Sequence, residues 1–250
     1  MKTKIFALEN YFFYIPPIFQ SLFQKAQSAD CILKFLPLFI EDFFAEKTAS
    51  PPPPCFRKLK NGDWTSEDSY QTESPWVNKE QKIFIGEKTK IEPGALIKNR
   101  VIVLGKGEIR QGAYLREESV LGEHCVIGHT TETKACLFLE HGEAGHFNYV
   151  GNSVLGAYVN LGAGTKLANL EFRTTKEKKE EIFPEISFSI QGEKIPSGFH
   201  KFGSVVGEGC EIGCNAVLAP GCFLGSESRV TPNLFLKKGY YPPKSFLALL

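Results

Sequence analysis

The stretch IGEKTKIEPGALIKNRVIVLGKGEIRQGAYLREESVLGEHCVIG, residues 85 to 128, places Ile85, Ile91, Ile97, Val103, Ile109, Leu115, Leu121 and Ile127 six residues apart without a miss. That interval belongs neither to a helix nor to the two-residue alternation of a strand. Glycine follows several of these residues, at Gly86, Gly122 and Gly128, and the fourth place onward is often small, as at Thr89, Ala95 and Cys125. The pattern is that of a parallel β-helix, an all-β solenoid of hexapeptide repeats. Each apolar residue points into a narrow prism, and the small residue turns the corner. Three hexads close one coil, so residues 18 apart stack at roughly the strand spacing, ~4.8 Å.

The period returns in Val206, Ile212, Leu218, Leu224, Val230 and Leu236, and Leu155, Leu161 and Leu167 hold it in a shifted phase. Counting on from Leu139 puts Gly145 in an apolar slot, whereas Val150 and Leu155 restart the pattern. The count therefore predicts a bulged coil at Gly145-His146-Phe147-Asn148-Tyr149. Bulges re-aim side chains and collect near active sites, which makes His146 a candidate functional histidine. The other reading is a hydrogen-bonded histidine at a subunit contact.

The same arithmetic stacks Arg116 on Lys134, 18 residues on. Two cations one above the other repel unless an anion lies between them. A bound phosphate answers that need, and so does an ordinary surface network with Glu117, Glu118 or Glu132. Cys125, Cys210 and Cys222 fall at the small corner position, where packing accounts for them. Cys214 does not and is expected on the outer surface.

Lys+Arg at 29 against Asp+Glu at 28 leave a net charge of +1, which offers no global field for nucleic acid or an anionic membrane. Seven cysteines without a CxxC pair do not suggest a disulfide framework and fit a reducing cytoplasm. At the amino terminus Glu9, Asn10 and Pro16-Pro17 interrupt any signal-peptide core or 20-residue span, so no stable membrane insertion is expected.

Phe19, Phe23, Ile32, Phe35, Leu36 and Phe39 recur at mostly helical spacings within residues 11 to 46. They predict a short N-terminal helical cap over residues 1–50, covering the open end of the solenoid or packing on a neighbouring subunit; a partner or membrane surface is the functional alternative. A Pro-rich linker and lead-in follows at 51–82, then the β-helix at 83–238 and a tail at 239–250 whose apolar stretch, 246 to 250, is expected to act like the cap. Residues 171–203 interrupt the solenoid with a charged run from Lys176 to Glu181 and a hairpin around Gln191-Gly192-Glu193. That insertion either covers the site or projects into solvent.

The stretch Glu143 to Asn152, EAGHFNYVGN, followed by Val159-Asn160-Leu161-Gly162-Ala163-Gly164-Thr165 and Asn169, resembles the acetyltransferase half of bifunctional glucosamine-1-phosphate acetyltransferase/N-acetylglucosamine-1-phosphate uridyltransferase, over roughly residues 83 to 238. The resemblance implies a left-handed β-helix, against the usual right-handed crossover. It implies acetyl-CoA as co-substrate and an amino-sugar phosphate as acceptor, without a metal, in a cytoplasmic homotrimer that completes its sites between subunits. By the same resemblance His146 is the general base, Arg116, Lys134 and Tyr149 hold the sugar phosphate, and Asn160 and Asn169 contact the amino sugar. Ala163 and Cys214 are the candidate positions lining acetyl-CoA. Histidine suits the role, because an ammonium must lose its proton before it can attack a thioester.

The family's Asn-Tyr pair is here Asn169-Leu170, a form more like the hexapeptide halves of sugar-1-phosphate nucleotidylyltransferases with broader amino-sugar acetylation. The lysine beyond that pair has no secure counterpart. About 80 residues precede the solenoid, fewer than an α/β nucleotide-binding domain needs, so no uridylyl transfer is expected and a separate nucleotidyltransferase would supply it. Two other classes fit parts of the sequence: a zinc hydratase using the His124/His129 or His141/His146 spacing, and a non-catalytic or degenerate trimeric scaffold that binds a sugar phosphate or nucleotide without turnover.

Overall fold

A computed structural model describes residues 2–190 and 192–248. Three nine-stranded sheets form the sides of a left-handed parallel β-helix. The first sheet contains Ile83–Ile85, Val101–Val103, Ser119–Leu121, Cys136–Phe138, Val154–Leu155, Ser204–Val206 and Cys222–Leu224. The second contains Lys90–Ile91, Glu108–Ile109, Val126–His129, Glu143–His146 and Asn160–Leu161. The third contains Leu96–Ile97, Tyr114–Leu115, Glu132–Lys134, Tyr149–Gly151 and Lys166–Leu167. Each coil visits them in that order.

The hexad residues line the prism. Ile85 through Ile127 are all buried, and they join Leu161, Leu167, Ile212, Leu218 and Leu224 in one continuous core. Each such side chain contributes about 1.5–3 kcal/mol by leaving water. Cys125, Cys210 and Cys222 sit at their corners, where the thiols donate to the carbonyls of Leu139, Gly225 and Lys237. Other corner residues take the left-handed conformation. Those between the first and second sheets include His124, His141 and Tyr158, with φ of 61°, 58° and 56°. Their rings stack face to face, 4.5 and 4.6 Å between centroids.

The expected bulge at residues 145 to 149 is not present. Phe138, Ala144 and Val150 point inward and keep the six-residue interval straight through His146. The count slips earlier and later instead. Leu115 lies beside Thr133, but Ser119 lies beside Cys136, so residues 116–118 of one corner face only 134–135 of the next. The same shortening recurs between Val150 and Leu155, where Asn152 makes the turn at φ 47°. Leu139 matches the earlier count by coincidence: it packs outside the prism, in a second apolar cluster.

That second cluster joins the N-terminal segment to the outer face of the first sheet. Helices Gln20–Ala26 and Ile32–Ala45 bury Phe19, Leu22, Phe23, Ile32, Leu36 and Ile40 with Phe84, Ile102, Val120, Leu137, Val154, Val205 and Phe223. The helical segment is therefore a sheath along one flank, not a cap over the end. Arg100 and Lys82 pin it through Glu41. The end of the prism is closed by the lead-in, whose strands Phe56–Lys58, Trp64–Ser66, Tyr70–Gln71 and Trp76–Asn78 pair antiparallel and bring Phe56 tilted against Trp76, and Trp64 edge-on to Trp76. No helix among the described residues is long and apolar enough to cross a membrane.

The insertion neither covers His146 nor projects freely. Thr174 and Glu177 form a capping box on the short helix Thr175–Lys179. The hairpin Ser187–Ile190/Glu193–Pro196 then buries Ile186 and Phe188 against Phe6, Phe202 and Phe223. Gln191 at its tip lies outside the described residues. At the far end, Gly239–Tyr241 and Phe246–Leu247 pair with the preceding coil, so the solenoid extends into the expected tail; residues 249 and 250 of that tail lie outside the described residues.

Gly128 is the tightest point of the stack. A Cβ there would meet the Gly145 carbonyl oxygen at 1.6 Å, backbone against backbone. Gly128→Ala is expected to cost roughly 3 kcal/mol, read as a lowered midpoint in chemical denaturation.

Candidate functional site

Two lines of side chains meet at the corner between the second and third sheets. His146 ends the strand Glu143–His146, and Tyr149 begins the strand Tyr149–Gly151. Asn148, buried between them, turns the corner: its Oδ1 accepts the His146 N–H at 3.1 Å, and its Nδ2 donates to the Gly162 carbonyl at 2.8 Å. The His146 side chain stays exposed, one rung from His129 in register. The His129 Nδ1 lies 3.0 Å from the Gln111 carbonyl. A carbonyl only accepts, so Nδ1 carries the proton there.

Along this edge the register continues upward. Asn160 pairs with Glu211 and Leu161 with Ile212, and Asn215 N–H donates to the Ala163 carbonyl. Ala163 and Cys214 therefore follow His146 up successive coils as small residues on one outer edge. The exposed ring of Phe147 leans along it, with its Cε2 2.9 Å from where a Cβ on Gly164 would stand.

On the third sheet, the Tyr149 hydroxyl donates to Asn169 Oδ1 at 3.3 Å, and Asn169 Nδ2 donates to Asn152 Oδ1 at 2.7 Å. Gly151 makes this possible, since a Cβ there would come within 2.6 Å of both the Tyr149 hydroxyl and Asn169 Nδ2. Burial, with the Glu132 charge behind it, pushes the Tyr149 phenol above its ordinary pKa. It therefore stays a hydrogen-bond donor at neutral pH.

Next to Tyr149 stand the cations. Arg116 N–H donates to the Thr133 carbonyl, which sets Arg116 beside Lys134 as the spacing predicts. Lys98 N–H donates in the same way to the Leu115 carbonyl, so the column has three rungs. Carboxylates of the chain itself answer the charges. Glu132 Oε1 is 2.7 Å from Arg116 Nη1. Glu117 reaches Lys98 at 2.8 Å, Arg116 at 3.7 Å and Lys134 at 3.8 Å. The Glu132 hydrogen bond raises the Arg116 pKa against the cost of burial.

The structure thus brings Arg116, Lys134, Tyr149 and Asn169 together on one face, with His146 around the corner. It does not bring Asn160 to them: that side chain stands on the second sheet beside Glu143 and donates to Glu211 at 2.9 Å. Lys98 and Asn152 were missed from sequence. The 18-residue interval that pairs Arg116 with Lys134 reaches Lys98 when counted backward, whereas Asn152 depends on the shortened corner and carries no such signal. His124 and His141 lie at a different corner from His129 and His146, so neither His-x4-His pair converges. Among the described residues no group of three His, Cys, Asp or Glu side chains could hold a metal.

The chain's similarity to known proteins covers this part. It is 35% identical over 171 residues to a bifunctional sugar-1-phosphate nucleotidylyltransferase/acetyltransferase of Sulfurisphaera tokodaii, which takes in 58% of this chain and 40% of that protein. The resemblance is to the sugar-1-phosphate nucleotidylyltransferase/acetyltransferases. Bifunctional protein GlmU of Methanococcus vannielii is 32% identical over 108 residues, 43% of this chain and 24% of that protein. GlmU of Methanocaldococcus jannaschii is 29% identical over 177 residues, 58% and 43% respectively. The chain spans less than half the length of these relatives. No protein-family model matches it.

The thiols test the exposure of the edge. Burial pushes Cys125, Cys136, Cys210 and Cys222 up to about 12, while Cys214 is exposed. A maleimide at pH 8 is expected to label Cys214 well before these four, which should react only on unfolding. Peptide mass mapping over time reads the order.

Proposed function

We propose that the protein transfers the acetyl group of acetyl-CoA to the amine of a phosphorylated amino sugar, of the glucosamine-1-phosphate kind or its nucleotide-linked form, and so feeds N-acetylated precursors of the cell envelope such as UDP-N-acetylglucosamine. The observation that carries this reading is the position of His146. It stands at an open edge with cations and amide hydrogen-bonders on one side, and the small-residue column of Ala163 and Cys214 on the other. The acetyltransferase named among the relatives supports it.

In this reading Arg116 and Lys134 hold the acceptor's phosphate, Arg116 through its planar fork and Lys134 as a point charge. Tyr149 adds a hydroxyl donor, and Asn169, fixed by Asn152, contacts the sugar. The narrow column above His146 fits the pantetheine arm of acetyl-CoA, since small side chains leave it room. Acetyl-CoA supplies the activated acyl carbon. His146 takes a proton from the acceptor ammonium; the amine nitrogen then bonds to that carbon as the carbon–sulfur bond breaks, and CoA leaves as the thiol on taking a proton. No acyl-enzyme is required.

Asn160 cannot reach the phosphate side within one chain, so its contact with a sugar requires a neighbouring copy. A cytoplasmic homotrimer with sites between subunits meets that need.

The test is CoA release from acetyl-CoA with glucosamine 1-phosphate, galactosamine 1-phosphate and UDP-linked amino sugars as acceptors. His146→Ala should lower kcat by 10²–10⁴-fold with its circular dichroism unchanged. Binding of the acceptor without CoA release, in a folded trimer, would point instead to the sugar-phosphate-binding scaffold.

A further inference from the structure

The corner between the second and third sheets turns at each coil on a left-handed residue. That residue donates its N–H to a carbonyl of the coil below: Thr130 to Gln111, Phe147 to His129, Gly164 to His146, Asn215 to Ala163 and Asn233 to Cys214. The left-handed conformation favours glycine and asparagine and is an outlier for a bulky side chain. Thr130, Gly164, Asn215 and Asn233 are short at this turn; Phe147, at φ 38°, is the exception. At the corner between the first and second sheets the bulky left-handed residues His124, His141 and Tyr158 stack on one another. Phe147 has no such partner in its column, where Thr130 lies on one side and Gly164 on the other, and it is 53% exposed. Neither the turn nor a neighbouring ring accounts for an aromatic residue here.

The ring has a definite place. It leans toward the next coil, with Cε2 2.9 Å from where a Cβ on Gly164 would stand, and Asn215 Oδ1 closes in on the same point from the coil above. The missing side chain of Gly164 leaves room for both. The ring therefore reaches from the level of His146 to that of Ala163, the residue before Gly164, on the way to Cys214. It is an apolar wall along an edge whose other members are small.

We propose that the Phe147 ring binds the donor: the apolar part of the pantetheine arm of acetyl-CoA packs on it as the arm runs past Cys214 and Ala163 to the thioester at His146. The inference rests on the reading of Ala163 and Cys214 as the donor's column. Small residues give the arm room but little surface to hold it. The ring supplies that surface, and its lean fixes the side on which the arm passes. The methylenes and paired methyls of the arm cover the ring, while its amides face the water at the open edge.

The experiment is titration calorimetry of CoA, adenosine 3′,5′-bisphosphate and glucosamine 1-phosphate into the wild type, Phe147→Gly and Phe147→Leu, with sedimentation velocity on each protein. Glycine takes the left-handed turn without strain, so Phe147→Gly removes the ring and keeps the fold. Leucine restores part of the apolar surface. Phe147→Gly should weaken CoA about tenfold and Phe147→Leu by less, and neither should move adenosine 3′,5′-bisphosphate, which lacks the arm, or glucosamine 1-phosphate by more than about twofold. A CoA affinity that Phe147→Gly leaves unchanged overturns the inference and leaves the proposed function standing. An equal loss for all three probes also overturns it and assigns the ring to the upkeep of the edge. Loss of self-association in Phe147→Gly with CoA binding intact overturns it in favour of a contact between copies. No binding of CoA to the wild type at millimolar concentration overturns this inference and the acetyl-CoA reading together.

Discussion

The ladder of inward apolar side chains is the one feature the molecule cannot relax. A prism only one side chain wide has no second layer to absorb an error, so each coil must deliver its buried residue at the height of the one below. The corners are where length can change. They carry the left-handed residues and bulky outward side chains, among them the stacked rings of His124, His141 and Tyr158. Two corners are shortened by a residue, and the whole 33-residue insertion leaves and returns between the third and first sheets with the rungs on either side still paired, Leu167 beside Leu218.

That division explains what could be read in advance. The solenoid was plain in residues 85–127 because one chemical requirement repeats there at one interval. The break was read in the wrong place because Leu139, an apolar residue on the outer surface, happened to fall on the running count, while Thr133, a polar residue, occupies the prism. Thr133 is tolerated there because its hydroxyl meets that of Ser119 at 2.9 Å. A periodicity read on hydrophobicity alone passes over a satisfied threonine and accepts an outward leucine. Arg116 still stacks on Lys134 because they are the first residues of their corners, where the 18-residue register of Leu115 and Thr133 still holds.

The helical segment was legible as helix and not as to place. Amphipathic spacing shows that one side must be buried; it does not show against what. The answer was written in the first sheet's outward residues, Phe84, Ile102, Val120, Leu137, Val154, Val205 and Phe223. These are apolar where the outward residues of the other two sheets are mostly charged or polar. A column of outward apolar residues confined to one side of a solenoid is the mark of a flank that something covers.

The covered flank also decides which faces of the solenoid stay open. The sheath occupies the first sheet, and the corner with His146 and Tyr149 lies between the other two, on the opposite edge of the triangle. Those two faces are the sides of the triangle that the helices leave uncovered. Asn160 stands on one of the two and the Lys98–Arg116–Lys134 column on the other, turned away from each other around His146. The N-terminal helices, packed on the first sheet, thereby leave open the edge that carries the candidate site.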